Sequence, residues 1–249
     1  MIGAEHVSRT EPDGYTILTV QTSFATNAAV RANMPYDVFK DFAYLGMMAK
    51  SPMIVVVHPS MPIKSLKELV ALARRRPGEL NYGSSGTGGS NHLTTELFAK
   101  LAGIRIVHVP YKSIGPALTE LIGGQVEMVI TTLPSALVQV KAGRLKALGI
   151  AGAQRSSFAP EIPTVTEGGV PYVSEQFWGV AAPGKTPPDM ANRLSETLRK
   201  ALQMPQLREQ FAREGGEPVP MTQEEFAKFV LADVNRWRQI VKDIGLKLE

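Results

Sequence analysis

The 249-residue chain contains no cysteine. That absence excludes disulfides, zinc ribbons, iron–sulfur clusters and thiol catalysis, and leaves an oxidising compartment open. Histidine is scarce: the four, at positions 6, 58, 92 and 108, show no i,i+4 pairing or carboxylate-spaced cluster, so no metal site is expected. His108, inside an apolar strand, reads as a satisfied core group. No run approaches the ~18 uninterrupted apolar residues of a membrane-spanning helix. Neither sign of charge dominates, with 27 Lys and Arg against 23 Asp and Glu. The one dense basic cluster, Arg74 to Arg76, ends a helix-like stretch, where cations complement the macrodipole, so no nucleic-acid partner is expected. The opening MIGAEHVSRTEPDGY has neither an apolar h-region nor a small-residue cleavage site, so the sequence as given shows no secretory signal.

What is present is globular. Hydrophobic residues make up 44% and charged residues 20%, the usage of an ordinary folded domain. Short β-rich runs alternate with amphipathic stretches, which predicts an α/β protein of parallel βαβ units. Strands are expected over Tyr15–Val20, Met53–His58, Leu80–Gly83, Arg105–Pro110, Val126–Thr131, Leu145–Ala151 and Gln176–Ala182, mostly continuous apolar runs suited to burial on both faces. Ser65 with Glu68, and Thr222 with Glu225, have capping-box spacing at helix starts. In the terminal helix Phe226, Val230, Val234, Trp237 and Val241 recur at helical spacing, which makes Trp237 a core residue. Two of the strands, Met53–His58 and Gln176–Ala182, look like crossings between lobes. The expected organisation is a discontinuous first lobe, residues 1–57 and 177–249, with a second lobe, 58–176, inserted into it and a cleft between them.

The stretch LNYGSSGTGGSNHLTTEL is the most informative. A strand runs into a glycine-rich turn holding Ser84, Ser85, Thr87 and Ser90, and a helix follows from about Asn91. Glycines admit close backbone approach, and free N–H groups at a helix start favour negative charge, so the segment suits a carboxylate or phosphate. The glycine spacing gives neither G-x-G-x-x-G nor a phosphate loop, and a Ser85–His92 catalytic pair lacks the nucleophile elbow. Two more hydroxyl clusters follow strands: Thr22, Ser23, Thr26 and Asn27, and Thr131, Thr132 and Ser135. Ligands of open α/β sheets bind at the carboxyl ends of strands, although Ser and Thr at such junctions also serve as N-caps. Gly179–Thr186, GVAAPGKT, matches the phosphate-loop pattern literally. Pro183 removes a donor inside it and Pro187-Pro188 follow at once, so it reads as a decoy.

The stretches PDGYTIL, LNYGSSGTGG with SNHL, IVHVPYK, GPALTELIGGQVEM, LPSAL, AGRLKALGIAG, PEIPTVTEGGVP and EEFAKFV, in that order, resemble the Bug-type solute-binding proteins of tripartite tricarboxylate transporters. The resemblance covers nearly the whole chain. It implies a two-lobe periplasmic binding protein type II fold that captures a small carboxylate in the interlobe cleft and delivers it to membrane transport subunits. It further implies a monomer in the periplasm, no cofactor and no chemical turnover. The family's ligand positions fall on Thr22 and Ser23 in the first lobe. In the second they fall on Ser84, Ser85, Gly86, Thr87, Ser90 and His92, with Thr131 and Thr132 at a further strand end. Family members often have Asp where this chain has Thr131, which implies a ligand with no required amine. Family members also begin with a signal peptide and a strand-helix-strand that this sequence does not contain, so the first lobe is expected to lack that opening. The alternatives are a ligand-sensing effector domain, a nucleotide-binding enzyme using GVAAPGKT, and a serine hydrolase.

Overall fold

The computed structural model describes residues 1–31, 33–213 and 215–246. Its elements run α1 (Ile2–Ser8), β1 (Leu18–Gln21), α2 (Thr22–Val30), β2 (Phe42–Val57), α3 (Leu66–Arg75), β3 (Asn81–Ser84), α4 (Ser90–Ala102), β4 (Val107–Pro110) and α5 (Ile114–Ile122). Then come β5 (Met128–Thr132), α6 (Leu133–Lys141), β6 (Lys146–Ile150), β7 (Glu175–Pro183), α7 (Pro188–Gln203), α8 (Pro205–Arg213), β8 (Glu217–Pro218) and α9 (Gln223–Ile244). The chain divides into two compact units, Met1–Lys50 with Phe177–Glu249, and Ser51–Gln176. The division within β2 falls at Lys50 and Ser51, not at the expected 57. The reason is pairing: Met53–Val57 hydrogen-bond along β5, and Ile54–Val57 along β6, strands of the second unit.

All seven expected strands are found, but Met53–His58 is only the end of β2, which starts at Phe42. The expected parallel βαβ units are present, within a sheet that is mixed. β3 runs parallel to β4 and β5, whereas β2 pairs antiparallel with β5 and β6, and β1 antiparallel with β7. Apolar runs report burial on both faces, not direction, and β2 carries the chain into the second unit against the βαβ strands that follow. The C-terminal stretch also contributes a short strand, β8, which pairs Glu217 and Pro218 with Lys50 and Ala49.

In the first unit β7 lies between β1 and β2. Phe24 packs face to face on Tyr36 and edge-on against Phe42 and Tyr44, and the Tyr44 hydroxyl donates to the Val38 carbonyl at 2.6 Å. α9 begins with a complete capping box of Thr222 and Glu225. Its stripe of Phe226, Val230, Val234 and Trp237 is fully buried, each large side chain contributing about 1.5–3 kcal/mol.

In the second unit the strand order is β6-β2-β5-β3-β4. Alternation along β2 feeds two cores. Met53, Val55 and Val57 pack with Leu66, Leu69, Phe98 and Tyr172, while Ile54 and Val56 pack with Ala117, Leu121, Leu133 and Leu145. A strand that serves cores on both faces must be apolar at every position, which is why its sequence does not alternate. Among the described residues no helix is long and apolar enough to cross a membrane.

Candidate ligand-binding site

β3, β4 and β5 are parallel, so their carboxyl ends lie along one edge of the second unit's sheet, and α4, α5 and α6 open there. None of these helices has a side-chain cap or an acidic residue in its first turn. α3, which follows the antiparallel β2, opens at the opposite edge. There Ser65 accepts the Glu68 N–H and Glu68 adds negative charge. The first-turn amides of a helix lack intrahelical acceptors and carry the positive end of its dipole. Three such ends without caps or acids make one edge of this sheet receptive to an anion.

The turn before α4 is built from the predicted residues. Gly86 and Gly88 have φ of 117° and 77°, a region in which a side chain would be strained. Ser84 is fully buried: its hydroxyl accepts the Gly86 N–H at 3.1 Å and lies 2.6 Å from His108 Nε2. Ser85 is half-buried and donates to Asn91 Oδ1 at 2.8 Å. Thr87 is exposed at the tip. Ser90 Oγ donates to Gln176 Oε1 at 3.3 Å. His92 is buried and accepts the Gly88 N–H on Nδ1 at 3.0 Å, so it braces the turn from behind.

His92 stacks on His108 at 3.9 Å, and His108 stacks on Tyr82 at 5.0 Å. Burial holds the His92 imidazole below its usual pKa. Burial first, and then His92, push His108 down to about 4, with Glu96 acting in the opposite sense. Tyr82 donates to Glu96, and burial together with that contact raises its hydroxyl. Both rings are therefore neutral at pH 7.

Thr131 and Thr132 end β5 and are buried. Asn91 joins this strand end to the turn: its Nδ2 donates to the Ile130 carbonyl at 2.9 Å while its Oδ1 accepts from Ser85. Thr132 occupies the N-cap position of α6, yet its hydroxyl meets Ser135 Oγ at 2.7 Å and caps no amide. In the first unit Thr22 and Ser23 open α2, also without a side-chain cap. Thr22 is buried and accepts the Phe177 N–H at 3.1 Å. N-capping, the ordinary role of such hydroxyls, is thus not what Thr22, Ser90 or Thr132 does.

Sequence reasoning did not single out Asn91 or Gln176. The available signal was an Asn inside a helix start with no acid beside it. His108 is satisfied, as expected, through Ser84. The GVAAPGKT segment is no phosphate loop: Gly179–Pro183 continue β7, and α7 starts only at Pro188. Gly179 is a packing residue, since a Cβ there would lie 2.1 Å from Phe226 Cζ. Among the described residues no group of three metal-ligating side chains occurs.

The sequence signature described as the tripartite tricarboxylate transporter family receptor matches residues 1–246. Protein BugT of Bordetella pertussis is 33% identical over 252 aligned positions, covering 100% of this chain and 77% of that protein. Among solved structures, R. palustris Rpa4515 with adipate superposes at a TM-score of 0.94 with 33% identity, covering 99% of this chain and 83% of that one. MatC from Rhodopseudomonas palustris with bound malate gives a TM-score of 0.88 and 25% identity, covering 96% and 83%. The match over nearly the whole chain, on a backbone shared with these receptors, means that the chain belongs to the Bug-type receptor family of tripartite tricarboxylate transporters.

Proposed function

We propose that this protein is a periplasmic, monomeric receptor that captures a small carboxylate without chemical turnover and hands it to the membrane subunits of a tripartite tricarboxylate transporter. The observation that carries this reading is the edge of the second unit's sheet where α4, α5 and α6 open without caps or acids. Amides there supply donors to a carboxylate without a counter-ion. Ser85, Gly86, Thr87 and Ser90 at the α4 turn, and Thr131 and Thr132 at the β5 end, are the contacts proposed in this unit. Ser84 and His92 hold the turn in shape, and Thr22 and Ser23 are the residues proposed in the first unit. Adipate and malate, the ligands named for the two solved relatives, are both dicarboxylates.

Thr131 and Thr132 put neutral hydroxyls at the end of β5, so they offer an ammonium no anionic partner. The ligand is accordingly an acid with no required amine. Isothermal titration calorimetry with malate, succinate and aspartate tests this. Binding of a dicarboxylate with a Kd near 1 µM, about −8 kcal/mol, and weaker binding of aspartate than of succinate, its deaminated analogue, are expected. Aspartate bound more tightly than succinate would refute the amine-free assignment. No binding by any of a wider series, including adipate, citrate and benzoate, would refute carboxylate capture.

A further inference from the structure

In the first unit a cavity of about 460 Å³ lies between the end of α2, the segment leading into β2, and α9; Arg31, Met34, Tyr36, Asp37, Phe39 and Arg238 are among the residues that line it. That volume is in the range of small-ligand sites. Thr22 and Ser23 stand at the other end of α2 and do not line it. Arg31 and Arg238 pair with no acid among the described residues, whereas Arg236, on the same helix as Arg238, is held by Asp233 at 2.8 Å. The one acid among the described residues of the lining, Asp37, is engaged within its own turn: Oδ1 accepts the Phe39 N–H at 2.7 Å and Oδ2 lies 3.9 Å from Lys40 Nζ. Asp41 Oδ2 accepts the Asp37 N–H at 2.7 Å, and the Asp37 carbonyl accepts the Lys40 and Asp41 amides at 3.2 and 2.9 Å. The turn so tied holds the Phe39 ring 43% exposed, with the Arg238 guanidinium over it at 5.5 Å from the centroid. A guanidinium attracted to a ring face spends none of its N–H donors on an acceptor. Burial pushes the Tyr36 hydroxyl up to about 12 against the opposing charge of Arg31, so it keeps its proton at pH 7 and can donate.

We infer that this cavity is a second anion site, separate from carboxylate capture, in which Arg31 and Arg238 together bind a phosphate monoester. A carboxylate has one charge and two oxygens, and a single guanidinium fork satisfies both. Two forks without acid partners suit a group with a second charge and a third terminal oxygen. A phosphate monoester has both at pH 7, since its second pKa is about 6. The same chemistry is offered by a soluble ester and by a phosphatidate headgroup in a bilayer. In the second case the exposed Phe39 ring and the half-buried Met34 add apolar contact.

The experiment follows backbone amide NMR shifts during titration with glycerol phosphate, and in parallel with acetate, at pH 7 and low salt, where exposed charges are least screened. Shifts at Tyr36, Phe39 and Arg238 with a Kd on the order of 1 mM are expected. Acetate should bind at least about fivefold more weakly. Arg31→Gln and Arg238→Gln should each weaken glycerol phosphate about tenfold. Both side chains are exposed, so the melting temperature and the dicarboxylate affinity of each variant should match wild type, which keeps this site distinct from the proposed function. Vesicles identify the source of the ester. Cosedimentation with vesicles of phosphatidic acid and phosphatidylcholine, absent with phosphatidylcholine alone and lost in Phe39→Ser, assigns the lipid headgroup; a response to glycerol phosphate without cosedimentation assigns a soluble ester. No response to glycerol phosphate or to the vesicles, equal binding of acetate, or an affinity unchanged in both arginine variants would overturn the inference while leaving carboxylate capture standing.

Discussion

Acidification should loosen the second unit through the His92–His108 pair, and the size of the effect follows from how the two rings are held. His108 titrates at about 4 in the folded protein against 6.5 when free, so between these values the unfolded chain binds a proton that the folded one refuses. Stability contributed by the neutral ring is present above pH 6.5 and is lost as the pH falls toward 4. The gap corresponds to about 3.4 kcal/mol at ~1.4 kcal/mol per pH unit, reduced to about 2 kcal/mol because His108 is only half-buried and partly screened. His92 acts in the same direction. Once protonated, its Nδ1 can no longer accept the Gly88 N–H, which frees the turn that opens α4. The groups facing the pair are Glu96 from α4, Tyr82 from β3 and the Ser84 hydroxyl.

The assay is urea unfolding at pH 7 and pH 4, followed by far-UV circular dichroism. Tryptophan emission would miss the event, because Trp178 and Trp237 both lie in the first unit. The control is the double variant His92→Asn, His108→Gln. It keeps an acceptor for Gly88 and a partner for Ser84, and it does not titrate. Wild type should lose about 2 kcal/mol more than this variant between the two pH values, since carboxylates elsewhere contribute equally to both. A difference below about 0.5 kcal/mol would show that the histidines are not held neutral by the fold.

Gly184→Ala should destabilise the first unit by roughly 3 kcal/mol, read as a lower urea midpoint by tryptophan emission. Its Cβ would meet the Lys40 carbonyl oxygen at 2.3 Å and Asp41 backbone at 2.8 Å, neither of which can swing away. Lys185→Ala should leave the melting temperature and its response to ATP unchanged, because Lys185 sits in the turn between β7 and Pro188 and not at a helix start. ATP-dependent stabilisation lost in this variant would revive the phosphate-loop reading.

The parts of the fold legible in the sequence are those set by local physics. Apolar runs marked the strands, the spacings of Ser65 with Glu68 and Thr222 with Glu225 marked two helix starts, and both caps form as read. Strand direction was not legible, since Met53–Val57 is equally apolar whichever way it runs. Nor was the first part of β2, Phe42 to Pro52, where Gly46, Lys50, Ser51 and Pro52 break the apolar run. At the site the sequence gathered the hydroxyls of Ser84, Ser85 and Ser90 but could not rank them. Ser84 turns into the protein toward His108 while Ser85 remains at the surface of the turn, and that difference depends on His108, 24 residues away.

The contrast between capped and uncapped helices nevertheless has a sequence counterpart. The N-caps Ser65 and Thr222 have a glutamate at the third helical position, whereas α2, α4 and α6, with N-caps Gln21, Gly89 and Thr132, have Phe24, His92 and Ser135 there. At Thr222 the glutamate completes a capping box, after Ser65 it accepts the Lys64 N–H, and in both it complements the helix dipole, so it stabilises a helix that begins in solvent. At a helix that must receive an anion it would do the reverse, adding a negative charge beside the ligand and consuming an N–H the ligand needs. A helix that opens without a capping side chain and without the acid forgoes about 1 kcal/mol of capping and keeps its amides available. His92, standing in place of glutamate at the third position of α4, is therefore as informative about the proposed site as the serines that precede it.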